Sequence, residues 1–243
     1  MHDKKVALVT GANKGIGFEI ARQLGARGFT VVLAGRDERK ATDAAARLRD
    51  ERVDAHGAVL DVTDPSQAEA AARWLDGRFG RLDVLVNNAG VGLEFARQMR
   101  PSEVSLETFR TTYETNVFGP FAVTRAMLPL LRKSSPSRVI NVSSTLGSLG
   151  ILSDPGGPYY GVNLLAYNSS KSALNGITLA VAKDLAGEGI SVNAVCPGWV
   201  KTDMGTDAAP RTVEQGAAIV VRLATMDGPP TGKYLDDAGE IPW

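Results

Sequence analysis

Short apolar runs recur along the chain, separated by longer segments in which apolar residues repeat at helical spacing. Short runs that stop at polar or glycine residues predict buried strands. The predicted strands cover residues 6–9, 30–34, 55–60, 82–86, 138–144, 190–195 and 232–235. Helices are predicted at 37–50, 105–131, 167–181 and 211–226, among others. This alternation predicts a parallel sheet with helices on both faces and right-handed crossovers.

The first predicted strand runs into a glycine-rich loop, residues 10–17, and a predicted helix begins within that loop. Strand, loop and helix in this order form a phosphate site, because the helix start offers free N–H groups and the positive end of its dipole. The spacing of the glycines differs from the commonest dinucleotide fingerprint, so a plain tight turn remains the alternative. The glycines are Gly11, Gly15 and Gly17. We expect an α/β fold, a Rossmann-type doubly wound parallel sheet forming a single domain over residues 1–243.

Two further strand ends carry polar residues suited to a dinucleotide. Arg36 follows the second strand and Lys14 lies in the glycine loop, so two cations are available for the 2′-phosphate that distinguishes NADPH from NADH. The alternative is a pair of solvated surface cations. Asp61 and Val62 end the third strand, where the carboxylate would accept a hydrogen bond from the adenine amino group. Alternatively, Asp61 forms the turn into the next helix.

Composition limits the classes of function. The 243 residues contain 27 Lys+Arg and 27 Asp+Glu, so no net charge favours binding to nucleic acid or to a membrane surface. The single cysteine, Cys196, cannot form an internal disulfide, which fits a reducing compartment. No signal segment or membrane span is apparent, and we expect a cytoplasmic protein. His2 and His56 lie outside every motif, and no metal site is predicted.

Tyr167 and Lys171 are four residues apart at the start of a predicted helix. This spacing places both side chains on one face of the helix, about one turn apart. An ammonium beside a phenol stabilises the phenolate, so we expect Lys171 to lower the tyrosine pKa from its free value near 10. The pair would then act as a proton donor and acceptor. Chance occurrence on a surface helix is the alternative.

Taken together, these motifs resemble those of the short-chain dehydrogenase/reductases over nearly the whole chain. The resemblance rests on six motifs in this order along the chain: residues 10–17, residues 87–90, Asn116, Ser144, Tyr167 with Lys171, and Pro197-Gly198. Two details resemble the carbonyl reductase branch, namely Asn13-Lys14 in the glycine loop and the segment 196–204 after the 190–195 strand. The resemblance implies NADP(H) as cofactor and hydride transfer between the nicotinamide and the carbon of a carbonyl or alcohol substrate.

The resemblance also implies roles for individual residues. Tyr167 would protonate the carbonyl oxygen, Ser144 would hold that oxygen, and Lys171 would bind the nicotinamide ribose. Asn116 lies in the long helix where Gly119 and Pro120 favour a bend, and its backbone carbonyl would hold a water molecule. Ser143 is the alternative serine, and Cys196 would have a structural role. The remaining implied cofactor contacts are Gly11, Asn13, Lys14, Gly15, Ile16, Gly17, Arg36, Asp61, Val62, Asn88, Ala89, Gly90, Pro197, Gly198, Val200 and Thr202.

The spacing from Ser144 to Tyr167 departs from the family pattern: it exceeds the compact form but is shorter than the long insertion of many carbonyl reductases. Gly and Pro predict a surface loop over residues 147–161. The additional residues, about 153–163, include Tyr159 and Tyr160, which form either an aromatic lid selecting bulky carbonyl compounds or a passive loop. A homodimer or homotetramer is expected.

Three other functions remain open. A 3-oxoacyl thioester reductase and an alcohol dehydrogenase would use the same residues. The third is a sensor that binds the dinucleotide without catalysis, which would not need the full set of catalytic residues.

Overall fold

The computed structural model describes residues 4–95 and 99–243, and within them seven strands form one parallel sheet. The strand order is β3-β2-β1-β4-β5-β6-β7. The order reverses between β1 and β4, and ligands of such sheets bind at the carboxyl ends of the strands beside this point. The predicted fold is confirmed. The strands are β1 (Val6–Thr10), β2 (Thr30–Gly35), β3 (Ala55–Val59), β4 (Val84–Asn87), β5 (Ser137–Val142), β6 (Ile190–Val195) and β7 (Tyr234–Leu235).

Helices cover both faces of the sheet, and each face has its own apolar core. One core includes Leu24 and Val220 on helices α1 and α8, and the other includes Leu75 and Met127 on α3 and α5. Among the described residues, none of the helices combines the length and the apolar character that a membrane crossing requires. The helices are α1 (Gly15–Ala26), α2 (Glu38–Asp50), α3 (Pro65–Phe79), α4 (Leu106–Tyr113), α5 (Gly119–Leu131), α6 (Leu149–Leu152), α7 (Leu165–Leu185) and α8 (Val213–Thr225).

The long helix predicted over 105–131 is divided by a π-helical turn, Glu114–Phe118, between α4 and α5. In an α-helix the carbonyl of Asn116 would accept from residue 120, but Pro120 has no N–H group. The expected local disturbance is therefore present, and it takes the form of a widened turn. Such turns often occur at functional sites.

The segment 147–161 was predicted as a surface loop, and this prediction is wrong at its start. Residues Thr145–Gly147 form a 3-10 turn and Leu149–Leu152 form the short helix α6. The Ser148 hydroxyl caps α6 by accepting a hydrogen bond from the Ile151 N–H over 3.2 Å. A glycine- and serine-rich composition is compatible with a capped short helix, because serine at an N-cap stabilises a helix start.

Candidate active site

The glycine loop packs tightly against the loop that follows β4. A Cβ on Gly11 would lie 2.9 Å from Cα of Ala89, and one on Gly17 would lie 2.4 Å from Nδ2 of Asn88. The Asn88 amide in turn donates to the carbonyl oxygen of Thr10 over 2.9 Å. The backbones of the two loops therefore lie in contact, and a larger residue at either glycine would push the loops apart.

The start of α1 is available to an anion. Its N-cap residue, Lys14, makes no side-chain capping bond, and the first turn carries no acidic residue. Gly15 has φ of +60°, a conformation that favours glycine, and Ile16 packs against the apolar core. The first N–H groups of the helix thus have neither a side-chain cap nor an acidic neighbour, and a phosphate site there remains a prediction.

The two predicted phosphate-binding cations have different surroundings. Lys14 forms an ion pair with Asp203, although both side chains are exposed. Arg36 is exposed at the end of β2 and makes no ion pair or hydrogen bond with any described residue. The Asn13 amide oxygen lies 4.0 Å from a Cβ position on Gly35, so the glycine loop reaches the strand end that carries Arg36.

The third strand end supports the turn interpretation of Asp61. Its Oδ1 atom accepts hydrogen bonds from the N–H and the hydroxyl of Thr63, at 2.9 and 2.7 Å. Val62 is buried in the core, where a Cβ on Gly119 would lie 2.9 Å from the Val62 side chain. A contact from Asp61 to adenine remains a prediction.

Helix α7 carries Tyr167 and Lys171 as the spacing predicted. Both are buried, at 7% and 5% exposure. Lys171 Nζ lies 5.7 Å from the centroid of the Tyr167 ring and donates to the carbonyl oxygen of Val142 over 2.9 Å. The Ser144 hydroxyl, just beyond the end of β5, lies close enough to the Tyr167 side chain to lower its pKa. Three of the four predicted catalytic side chains are thus adjacent.

Burial controls the proton affinities of this pair. It raises the pKa of Tyr167 to about 12, and the nearby Ser144 hydroxyl only partly opposes this rise. It lowers the pKa of Lys171 to about 8. The net pKa of Tyr167 is therefore raised and not lowered as expected, because the desolvation of phenolate dominates. A phenol with this pKa is protonated at neutral pH.

Asn116, the fourth predicted catalytic residue, lies beside the same pair. Its side chain accepts from the Val91 N–H over 2.8 Å and donates to the Ser170 hydroxyl over 3.0 Å. A Cβ on Gly90 would lie 3.4 Å from Oδ1 of Asn116 and 3.5 Å from Nζ of Lys171. Gly90 is therefore the contact point of the β4 loop, the π-helical turn and α7.

The turn after β6 contacts the glycine loop. The methyl group of Thr202 lies 3.5 Å from a Cβ position on Gly15. Gly198 has φ of +77°, and a Cβ there would lie 2.6 Å from Cδ of Arg211. The turn contains the remaining predicted cofactor residues, Pro197, Gly198, Val200 and Thr202.

Cys196 links this turn to the loop after β5. Its buried Sγ accepts hydrogen bonds from the Thr145 N–H over 3.1 Å and from the Gly198 N–H over 3.4 Å. Ser143, the alternative serine, donates instead to Oδ1 of Asn175 over 2.7 Å. These contacts favour a structural role for Cys196 and favour Ser144 over Ser143 as the site serine.

Two residues near the site were not identified from the sequence. The Tyr234 hydroxyl donates to the carbonyl oxygen of Ser144, and its ring stacks on Trp243 at 5.6 Å between centroids. Glu94 is buried and accepts a hydrogen bond from the backbone N–H of Tyr167 over 2.8 Å. Both contacts join distant parts of the chain, so no local spacing indicates them.

A family model of the short chain dehydrogenases matches residues 5–213. A short-chain dehydrogenase from Penicillium roqueforti is 38% identical over 98% of this chain and 96% of its own length. The (+)-neomenthol dehydrogenase of Arabidopsis thaliana is 36% identical, covering 91% of this chain and 92% of its own. The crystal structure of an NADPH-bound carbonyl reductase from chicken fatty liver superposes with a TM-score of 0.87 at 30% identity, covering 99% of both chains.

The fold and these similarities define an oxidoreductase of the dinucleotide-binding α/β class. Within that class, the chain belongs to the short-chain dehydrogenase/reductase family.

Proposed function

We propose that the protein is an NADPH-dependent reductase that converts a ketone or aldehyde into an alcohol. The observation that carries this proposal is the meeting of a buried, protonated phenol with a serine hydroxyl and a lysine at the carboxyl ends of the strands. These groups are Tyr167, Ser144 and Lys171. A hydrogen-bond donor and a proton donor close together are what a carbonyl oxygen needs as negative charge develops on it.

The crevice residues fit a dinucleotide. The start of α1 lacks both a side-chain cap and an acidic residue, so its N–H groups suit a pyrophosphate. Gly11 and Gly17 leave backbone, and not side chains, at the crevice. The NADPH bound to the similar carbonyl reductase supports NADP(H) as the cofactor. When bound, NADPH supplies the hydride for the reduction.

Arg36 is the residue best placed to select the 2′-phosphate. It is exposed at the end of β2 and has no partner among the described residues, whereas Lys14 is already paired with Asp203. Lys14 would have to leave Asp203 to contribute. We therefore assign the larger share of NADPH selectivity to Arg36.

The chain's own groups then have distinct tasks. Ser144 holds the substrate carbonyl oxygen by a hydrogen bond, and the proton on Tyr167 Oη moves to that oxygen. Lys171, in its charged form, stabilises the phenolate that this transfer leaves behind. Asn116 fixes the π-helical turn beside Lys171 through its bonds to Val91 and Ser170.

A panel of ketones, aldehydes, quinones and 3-oxoacyl thioesters tests the proposal, with loss of NADPH absorbance as the readout and NADH run in parallel. We expect turnover of simple ketones or aldehydes that depends on NADPH. Turnover of thioesters alone would instead favour the 3-oxoacyl reductase. Tight NADPH binding without any turnover would contradict the proposal and favour the sensor.

A further inference from the structure

Helix α7, which carries Tyr167 and Lys171, begins without a cap of its own. Its N-cap residue is Leu164, which has no side-chain acceptor, and its first turn contains no acidic residue. The first N–H groups of any helix lack partners within that helix. The start of this helix lies beside buried catalytic side chains, so these groups require acceptors from elsewhere in the fold.

Glu94 supplies one such acceptor from the loop after β4. Its side chain is only 2% exposed, and its Oε2 atom accepts a hydrogen bond from the Tyr167 N–H over 2.8 Å. A carboxylate is also favoured electrostatically at a helix N-terminus. The bond therefore fixes the backbone of the residue whose side chain donates the proton.

The same loop contacts the side chain of the tyrosine. The Phe95 ring meets the Tyr167 ring edge to face, with 4.9 Å between centroids. A Cβ on Gly92 would lie 2.3 Å from the Phe95 ring, so the absence of a side chain at Gly92 permits this packing. One short loop segment thus holds both the backbone and the ring of Tyr167.

The second carboxyl oxygen of Glu94 gives independent support. Oε1 is buried and has no hydrogen-bond partner among the described residues. An unpartnered buried polar atom destabilises a fold. Among the described residues, the Tyr167 N–H is thus the hydrogen-bond donor that this carboxyl group meets.

We infer that Glu94 is a positioning residue that caps α7 from the β4 loop and thereby fixes Tyr167 relative to the substrate carbonyl. It acts through the backbone of Tyr167 and does not contact the reacting atoms. The kinetic test of this inference rests on the proposed reductase function.

The test compares Glu94→Ala with Glu94→Gln, which keeps an acceptor oxygen at the same distance. For Glu94→Ala we expect kcat to fall about tenfold to hundredfold, since small misplacements of catalytic groups have effects of that size. Glu94→Gln should retain kcat within about threefold, and NADPH affinity should be unchanged in both. Asp64→Ala is the matched control, because it removes the carboxylate cap of α3 away from Tyr167. It should leave kcat near the wild-type value.

Hydrogen exchange of the NADPH-bound protein gives a readout that does not need turnover. We expect faster exchange in the first turn of α7 in Glu94→Ala, but not in Glu94→Gln or Asp64→Ala. If Glu94→Ala does not fold, Glu94→Asp replaces it, since a shorter side chain draws the acceptor away from Tyr167.

Unchanged kcat and exchange in the folded Ala or Asp variant would overturn the inference. An equal loss of kcat in Glu94→Gln would also overturn it. The wild-type protein could reduce no carbonyl compound while Glu94→Ala still speeds hydrogen exchange in the first turn of α7. In that case the reductase proposal fails, but the inference that Glu94 caps α7 is retained.

Discussion

Two loops border the start of α7 and differ in how they are held. The loop after β4, residues 92–95, is joined to Tyr167 by a buried carboxyl group and by a ring contact. The loop of residues 153–163 has neither helix nor strand, and its Tyr159 and Tyr160 are 38% and 56% exposed. Glu94, which contacts the backbone of Tyr167, is thus buried, whereas the two tyrosines that would select the substrate are partly open to solvent.

This contrast predicts that changes on the fixed side reduce kcat, whereas changes in the exposed loop alter KM. The largest effect is expected for Tyr167→Phe, because it removes the proton donor while keeping the ring. We expect kcat to fall about a thousandfold, within the usual range for a general acid, with NADPH affinity nearly intact. Steady-state kinetics and NADPH fluorescence titration measure the two quantities. Substantial retained turnover would remove Tyr167 from the mechanism.

Substitutions of the two adjacent serines distinguish a catalytic role from a structural one. Ser144→Ala removes the hydroxyl beside Tyr167, and we expect kcat to fall about a hundredfold. Ser143→Ala removes a bond to Asn175 and should reduce kcat far less. Equal losses of kcat in the two variants would show that the serine assignment is wrong.

Cofactor selectivity should depend on Arg36. Arg36→Asp is expected to weaken NADPH binding about tenfold to a hundredfold, as for the loss of a charged hydrogen bond, and to leave NADH binding little changed. Arg39→Asp, a change of the same charge at a nearby exposed position, is the control. If NADPH and NADH affinities fell together, the 2′-phosphate assignment would be incorrect.

The pH dependence follows from the buried lysine. Burial lowers the pKa of Lys171 to about 8, so the ammonium is present below that pH and is lost as the pH rises through it. Tyr167 stays protonated over this range, because its pKa is raised to about 12. We therefore expect kcat for reduction to fall about tenfold per pH unit above this value. A flat kcat profile from pH 7 to pH 10 would argue against a charged Lys171 in the reaction.

The smallest effect is expected in the exposed loop. Tyr160→Ala removes a ring that is more than half exposed, so it should raise KM for a bulky aromatic ketone severalfold and leave kcat unchanged. A small aliphatic ketone is the control substrate, and its KM should not change. If Tyr160→Ala changed the KM of neither substrate, the interpretation of residues 153–163 as a passive loop would be favoured.

The sequence predicted the features that depend on local pattern. The alternation of strands and helices, the glycine loop and the facing of Tyr167 and Lys171 all follow from short-range spacing. The direction of the tyrosine pKa shift was missed because burial depends on the packing of the whole domain around α7. The Glu94 cap was missed because its two residues are 73 positions apart in the chain.

The most direct test of the proposed reaction measures NADPH consumption and alcohol formation together, using one ketone and purified wild-type protein. We expect one molecule of alcohol formed for each NADPH oxidised, and for Tyr167→Phe neither NADPH oxidation nor alcohol formation. NADPH oxidation without alcohol, or equal alcohol formation by the phenylalanine variant, would contradict it.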